Sequence, residues 1–333
     1  MASIHYPRIS IIGAGTVGST LATTLYKIGY PIVSIINRTG QPAIDLAKNV
    51  KCKKVSTNIE DVDDKSEIIL ITVSDGVIKD ISKRLASLKK LSFRKLFVAH
   101  TSGVHSCEVL ESVKKKGALI AAIHPIQSFP RLDQHLFTKS KLNGIYFGLD
   151  GDAEALRKAE NLVRNLGGMP IVIPQGMKPL YHVLCVFASG YFMVFLNAIS
   201  ELFKISNLSK SWPEVFGPLM TTTMENTVKH SATKALTGPI VRGDISTVDL
   251  HLQTLVQHAP QLIPLYTIGG IEMARIAKQA KKISQQDFNQ IITHFRKFVK
   301  STSFKKTQGI NIESTDRKWR PRHTASPTHA HSK

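Results

Sequence analysis

Lys178 and His182 stand four residues apart, so on a helix they share one face. An amine and an imidazole so placed can exchange a proton with a substrate heteroatom and orient it. Pro179 suits the first turn of a helix, which puts Lys178 at the helix N-terminus. The helix dipole disfavours an ammonium there and is expected to lower its pKa toward neutrality. His100, Ser102, His124 and Ser128 are further candidates. His100-Thr101-Ser102-Gly103 follows the apolar run 96–99, and His124-Pro125-Ile126-Gln127-Ser128-Phe129 follows the run 119–123. Each histidine is therefore expected one residue past a strand. Farther along, Thr237-Gly238-Pro239-Ile240-Val241-Arg242-Gly243-Asp244 forms a dense loop. There Thr237 and Arg242 are candidates to hold a substrate carboxylate, while Arg242 pairing with Asp244 would merely stiffen the turn. Glu225, Asn226 and His251 read as structural.

A second constellation suits a phosphate. Gly13-Ala14-Gly15-Thr16-Val17-Gly18 directly follows the apolar run 9–12 and leads into a helix-compatible stretch, 19–28. A strand, a glycine turn and a helix in that order form the dinucleotide-binding unit. Gly13 gives the tight turn, Gly15 lets backbone approach a pyrophosphate, and Gly18 lets helix pack on strand. The second strand ends Asn37-Arg38-Thr39 without a carboxylate for a ribose 2′-hydroxyl. Arg38 offers a guanidinium to a 2′-phosphate, with Asn37 and Thr39 as hydrogen-bonding neighbours, which favours NADP(H) over NAD(H). Val73, closing the run 68–73, and Ser74 after it complete the expected cofactor rim, and Asp75 reads as a helix N-cap.

These groups need a scaffold, and the pattern supplies one. Continuous apolar runs at 9–12, 32–36, 68–73, 96–99, 119–123, 145–149 and 170–173 alternate with helical stretches, the mark of a parallel sheet covered on both faces. After 174 the chain is helical to about 300, over 179–203, 212–230, 247–257, 261–280 and 285–300. The expected fold class is α/β: an N-terminal doubly wound, mostly parallel Rossmann sheet over 1–174, then an all-helical substrate and dimerisation domain over 175–300. Residues 301–333 read as a basic disordered tail, poor in apolar periodicity.

Bulk properties narrow the class. The 333 residues suffice for two cores, and 42% hydrophobic content is ordinary for a globular protein. Cys52, Cys107 and Cys185 are widely spaced, which suggests neither a disulfide framework nor a metal site and fits the cytoplasm. The net charge of +20 suits phosphorylated ligands, but there is no nucleic-acid motif, so no specific nucleic-acid partner is expected. Residues 180–199 carry no formal charge apart from any on His182 and match a membrane span in length. Their polar members, and the lack of a second such segment, favour a helix buried between domains or subunits. No membrane partner is expected, and a homodimer packed through the helical domains is.

Together Gly13–Gly18, His100-Thr101-Ser102-Gly103, His124-Pro125, Ser128-Phe129, Tyr181-His182, Ala188-Ser189, Ala235-Leu236-Thr237-Gly238-Pro239, Arg242-Gly243-Asp244 and His251-Leu252 resemble the Rossmann-like oxidoreductases whose C-terminal part is domain of unknown function 2520. The resemblance covers about residues 8 to 280. It implies an NADP-binding domain followed by a helical domain like those of 6-phosphogluconate dehydrogenase and pyrroline-5-carboxylate reductase. Lys178-x-x-x-His182 is similar to the Lys-x-x-x-Asn of β-hydroxyacid dehydrogenases, in which the lysine is the acid/base. The expectation is hydride transfer to or from a small carbonyl, hydroxy or imine substrate bearing a carboxylate. Open beside it stand an NADP(H)-binding sensor or partner-binding protein without turnover, and a deazaflavin in place of nicotinamide.

Overall fold

A computed structural model describes residues 5–130 and 142–301; of the tail expected over 301–333, Ser301 is the last residue of a helix and the rest lies outside the described residues. The chain divides into two compact units between Phe195 and Leu196, inside a long helix rather than at the change of pattern near 174.

The first unit is an eight-stranded sheet ordered β3-β2-β1-β4-β5-β6-β7-β8. Its strands are β1 (Ile9–Ile12), β2 (Ile32–Ile36), β3 (Val55–Ser56), β4 (Ile68–Ile71), β5 (Phe97–His100), β6 (Leu119–Pro125), β7 (Tyr146–Gly151) and β8 (Met169–Val172). Neighbours are parallel except β6 and β7, which run antiparallel. The two-residue β3 at the edge is too short to leave an apolar run, so the sequence pattern missed it. Helices α1 (Thr16–Lys27), α2 (Gly40–Asn49), α3 (Ile78–Ser87), α4 (Glu111–Lys114) and α5 (Ala153–Asn165) cross between strands. The apolar runs are continuous because alternate residues serve opposite faces. Ile9, Ile11, Ile68 and Leu70 join one core with Leu21 of α1, Leu46 of α2 and Leu162 of α5. Ile12, Ile69 and Ile71 join the other with Ile78 and Leu85 of α3 and Val113 of α4.

The strand order reverses at β1, whose neighbours are β2 and β4. Beyond such a switch point the helices part and leave a crevice at the carboxyl ends of the strands. Ile12, Ile71 and His100 lie in register there, so the segments following β1, β4 and β5 emerge side by side.

After β8 the chain runs without a break through α6 (Lys178–Val186), a π-type turn (Phe187–Tyr191) and α7 (Phe192–Ser206). The second unit continues with α8 (Trp212–His230), α9 (Ala232–Ala235), α10 (Ile245–His258), α11 (Ile263–Gln279) and α12 (Gln285–Ser301). Its core gathers Leu252 and Leu255 of α10, Ala274 of α11 and Phe295 of α12, and Gly270 leaves room for the Phe295 ring.

The expected burial of the long helix is not met within one chain. Residues 178–206 form a 29-residue helical stretch whose most apolar 18-residue window has mean hydropathy 1.9, and none of that window is buried. Leu180, Leu184, Phe187 and Met193 are exposed, as are Leu219, Met224 and Val228 of α8. By length and composition the stretch could also cross a membrane.

Candidate active site

The glycine turn has the shape its spacing predicts. Gly13 has φ +109°, and a Cβ there would meet the Thr72 carbonyl oxygen at 2.6 Å. A Cβ on Gly18 would collide with the Gly13 carbonyl oxygen and the Thr72 hydroxyl. Thr72 Oγ1 donates to the Gly13 carbonyl oxygen at 2.6 Å, tying the turn to the end of β4. Gly15 caps α1, and its missing Cβ faces open space, so the Gly15 backbone is free to approach a ligand. The first turn of α1 holds no acidic side chain. An open glycine at a helix N-terminus beyond a switch point fits a pyrophosphate. Val73 is half-buried and Ser74 exposed past β4. Ser74, not Asp75, precedes the short 3-10 turn Asp75–Val77, so Asp75 is inside the turn rather than its cap.

Asn37 takes a different part from the one expected. Its Oδ1 accepts from the Ala14 N–H at 2.9 Å, and its Nδ2 donates to the Thr39 carbonyl oxygen at 2.8 Å. Both ends of the amide fasten the glycine turn to the β2–α2 turn, so Asn37 builds the site instead of contacting a phosphate. Arg38 and Thr39 are exposed beside it, and Arg38 has no ion-pair partner among the described residues.

Two strands away lies the cluster of titratable groups. His100 and His124 are the last and the penultimate residues of β5 and β6, not one residue past them. His100 is fully buried. Its Nδ1 accepts from the Ser102 N–H at 3.1 Å and its Nε2 bonds the Ser106 carbonyl oxygen at 3.0 Å. A backbone carbonyl only accepts, so Nε2 carries the proton and the ring is neutral. Burial pushes its pKa down to about 4. With both nitrogens used by its own loop, His100 fixes residues 102–106 and has no free group for a substrate. Ser102 is held likewise: its Oγ accepts from the His105 N–H at 3.1 Å.

Lys178, the first residue of α6, is 1% exposed. Its Nζ donates to the Ser102 carbonyl oxygen at 2.9 Å and lies 5.3 Å from the centre of the Tyr181 ring. Its pKa is lowered to about 8, as its place in the sequence suggested, but the main cause is burial, partly offset by the Asp150 carboxylate. Asp150, on β7, accepts from the Cys107 N–H at 2.5 Å, and burial pushes the Cys107 thiol up to about 12.

His182 and His124 stack edge to face, 6.1 Å between ring centres. They close over Gly103, where a Cβ would sit 2.5 Å from His182 Cδ2 and 3.0 Å from His124 Nε2. His124 Nδ1 is bonded to Tyr181 Oη at 2.7 Å. Burial, then the Lys178 and His182 charges, push His124 down to about 4. Tyr181 enters against Gly148, where a Cβ would meet its hydroxyl at 2.5 Å. Sequence reasoning named Lys178, His182, Ser102 and His124, which meet here, but assigned no site role to Tyr181, Gly103, Gly148, Cys107 or Asp150. Gly103, three residues past β5, and Gly148, inside β7, were the legible signal. Ser128 is exposed and its N–H donates to Gln127 Oε1. Thr237 and Arg242 are exposed in the second unit. There Asp244 caps α10 by accepting from the Thr247 N–H at 3.0 Å and Thr247 Oγ1 at 2.6 Å. Among the described residues no group of three or more acidic, His or Cys side chains is placed to hold a metal ion.

A switch-point glycine turn joined to a helical C-terminal half defines a Rossmann-like two-part protein. Its parts match two family models: a Rossmann-like domain over residues 2–125 and the domain of unknown function 2520 over residues 145–272. No curated protein matches the chain. Among solved structures it is similar to a Bacteroides fragilis protein assigned as an NADP oxidoreductase, at 22% identity and TM-score 0.69, over 82% of this chain and 100% of that one. A Thermotoga maritima protein matches at 25% identity and TM-score 0.57, over 82% and 99%. A pyrroline-5-carboxylate reductase from Coxiella burnetii matches at 16% identity and TM-score 0.51, over 84% and 100%. At these identities the likeness is one of fold.

Proposed function

We propose that the chain is an NADP(H)-dependent oxidoreductase acting on a small carbonyl, hydroxy or imine compound that bears a carboxylate. The observation that carries this reading is the common edge of β1, β4 and β5. It presents the open glycine turn and, two strands along, the Ser102 carbonyl that holds Lys178. The family models and the oxidoreductases of similar fold support it.

Gly13–Gly18 would hold the pyrophosphate, Val73 and Ser74 would flank the nucleotide, and Arg38 with Thr39 would take the 2′-phosphate. The nicotinamide, when bound, supplies or accepts a hydride at the substrate carbon. Lys178 is the proton carrier. One N–H of its ammonium is spent on Ser102, and another remains to give a proton to the substrate heteroatom, leaving the amine neutral. In the reverse direction the neutral amine takes the proton back. A pKa of about 8 lets both forms exist near neutrality. His182 and His124 orient the substrate over Gly103, while His100 and Ser102 hold the loop.

The exposed apolar residues of α6 and of the start of α7, and separately those of α8, support a homodimer, since a second copy would remove such residues from water.

Calorimetric titration with NADPH and with NADH, repeated on Arg38→Ala, tests the cofactor assignment. NADPH is expected to bind more tightly, and the variant to lose about 10- to 100-fold for NADPH alone, the worth of hydrogen bonds to a charged group. Failure to bind either nucleotide would overturn the reading.

A further inference from the structure

We propose that Tyr181 is a positioning residue that fixes His124 as a neutral imidazole with its proton on Nε2, so that the site offers a hydrogen-bond donor to a substrate oxygen rather than an acceptor to an iminium N–H. This rests on the oxidoreductase reading and narrows its substrate to carbonyl and hydroxy compounds.

His124 Nδ1 and Tyr181 Oη are 2.7 Å apart, and either could in principle give the proton. A phenol is the better donor and an imidazole nitrogen the better acceptor. The tyrosine's surroundings agree. Burial favours the protonated phenol, and the Gly148 amide faces its oxygen as a donor. The hydroxyl proton therefore needs an acceptor. Besides His124 Nδ1, the neighbour is the Cys185 thiol, a much weaker one. The O–H therefore points to Nδ1, and the imidazole proton sits on Nε2.

Nε2 is the nitrogen turned toward Gly103 and the His182 ring, and it has no hydrogen-bond partner among the described residues. The ring stays neutral because it is buried beside the Lys178 ammonium. A neutral imidazole with a fixed N–H polarises a carbonyl without giving up its proton. Lys178 adds a second donor bearing positive charge. Two donors, one of them cationic, suit the lone pairs of an oxygen. An iminium brings its own proton and positive charge, so facing the His124 N–H and the protonated Lys178 it would be left without an acceptor and repelled. The glycines complete the device: Gly148 admits the tyrosine hydroxyl and Gly103 admits the imidazole edge.

Nitrogen NMR of 15N-histidine-labelled full-length protein tests this, with His124→Gln used to assign the His124 signals. The expected wild-type result at pH 7 is a neutral ring protonated at Nε2 only. In Tyr181→Phe, which keeps the ring and removes the donor, a mixture of the two tautomers is expected. A proton on Nδ1, an imidazolium at pH 7, or an unchanged single tautomer in Tyr181→Phe would overturn the assignment. The wild-type spectrum decides the tautomer even if the variant fails to fold. It also needs no nucleotide, so it is decided independently of the calorimetric test of the oxidoreductase reading. For the substrate class, size-matched ketones and cyclic imines are compared with NADPH present. A preference in kcat/KM of about tenfold or more for the ketone is expected, falling in Tyr181→Phe, and a preference for the imine would overturn it.

Discussion

Lys178 Nζ donates to the carbonyl oxygen of Ser102 at 2.9 Å across 76 positions of sequence. This bond joins the first residue of α6 to the loop after β5, a loop that His100 holds from beneath. It places a buried amine where the strand ends gather His100 and His124.

Removing the amine should separate chemistry from binding. Lys178→Met keeps the length of the side chain and its burial. We expect it to lower kcat by about 10²-fold or more, the usual worth of a general acid. The Kd for NADPH should stay within about twofold, since no cofactor contact is assigned to Lys178. Stopped-flow turnover beside calorimetry checks both. A loss of nucleotide affinity with kcat intact would move Lys178 out of the proton-transfer role.

The lowered pKa of Lys178 sets a pH window. The reductive direction needs the ammonium, so its kcat should decline as pH rises past about 8, while the oxidative direction gains. Stability has its own sign. Between about 8 and 10.5 the unfolded chain binds more protons at this lysine than the folded one, so this term makes the fold more stable as pH rises. Rate profiles in both directions test the first statement. If both directions share one pH dependence, Lys178 is not the proton carrier.

His100 and His124 act at the acid end. Both are held neutral by burial, with pKa values near 4 against an ordinary 6.5. The unfolded chain therefore takes up protons first, and stability should fall as pH drops from about 6.5 toward 4. Melting temperatures across that range should show the fall. His100→Gln should cost about 1–3 kcal/mol at pH 7, through lost or misplaced hydrogen bonds, and flatten the acid slope. An unchanged melting curve would mean that His100 does not hold its loop.

Two glycines give a steric test. Gly103→Ala puts a methyl group 2.5 Å from His182 Cδ2, and Gly148→Ala puts one 2.5 Å from the Tyr181 hydroxyl. Both φ angles are ones that alanine adopts. We expect each variant to fold and bind NADPH, and to lose at least about tenfold in kcat/KM as the rings are displaced. Full activity in Gly103→Ala would remove His124 and His182 from the substrate's side.

The apolar face is tested by mass. Light scattering at micromolar concentration should give twice the 36.8 kDa of one chain. Leu184→Lys combined with Phe187→Lys changes two residues that are 62% and 63% exposed, and should shift the protein toward monomer. A wild-type monomer would overturn the dimer.

Much of this protein was determined by its sequence alone. The apolar runs of β1, β2 and β4 and the glycine spacing after β1 are local patterns. A buried strand followed by a tight turn and a helix N-terminus admits few other residues, so Gly13 and Gly18 could be read without coordinates. The bounds of helix α8 were legible to the residue, and at its start the Ser211 N–H donates to the Glu214 carboxylate at 2.9 Å. The lowered pKa of Lys178 was visible from its place at a helix start, although burial rather than the helix dipole is its main cause.

Only the tertiary structure decided the partners. Nothing in Asn37 says that its amide would be spent on Ala14 and Thr39, and nothing in His100 says that its own loop would take both nitrogens. Tyr181 meets His124 across 57 positions because β6 and β7 run antiparallel and bring His124 beside Gly148. Hydrogen bonds between segments that the chain brings together only on folding depend on register and on the absence of a Cβ. Neither is a property of any short stretch of sequence. The sequence therefore placed the titratable groups at and near the strand ends, and the packing of the strands decided which hydrogen bonds each of them makes.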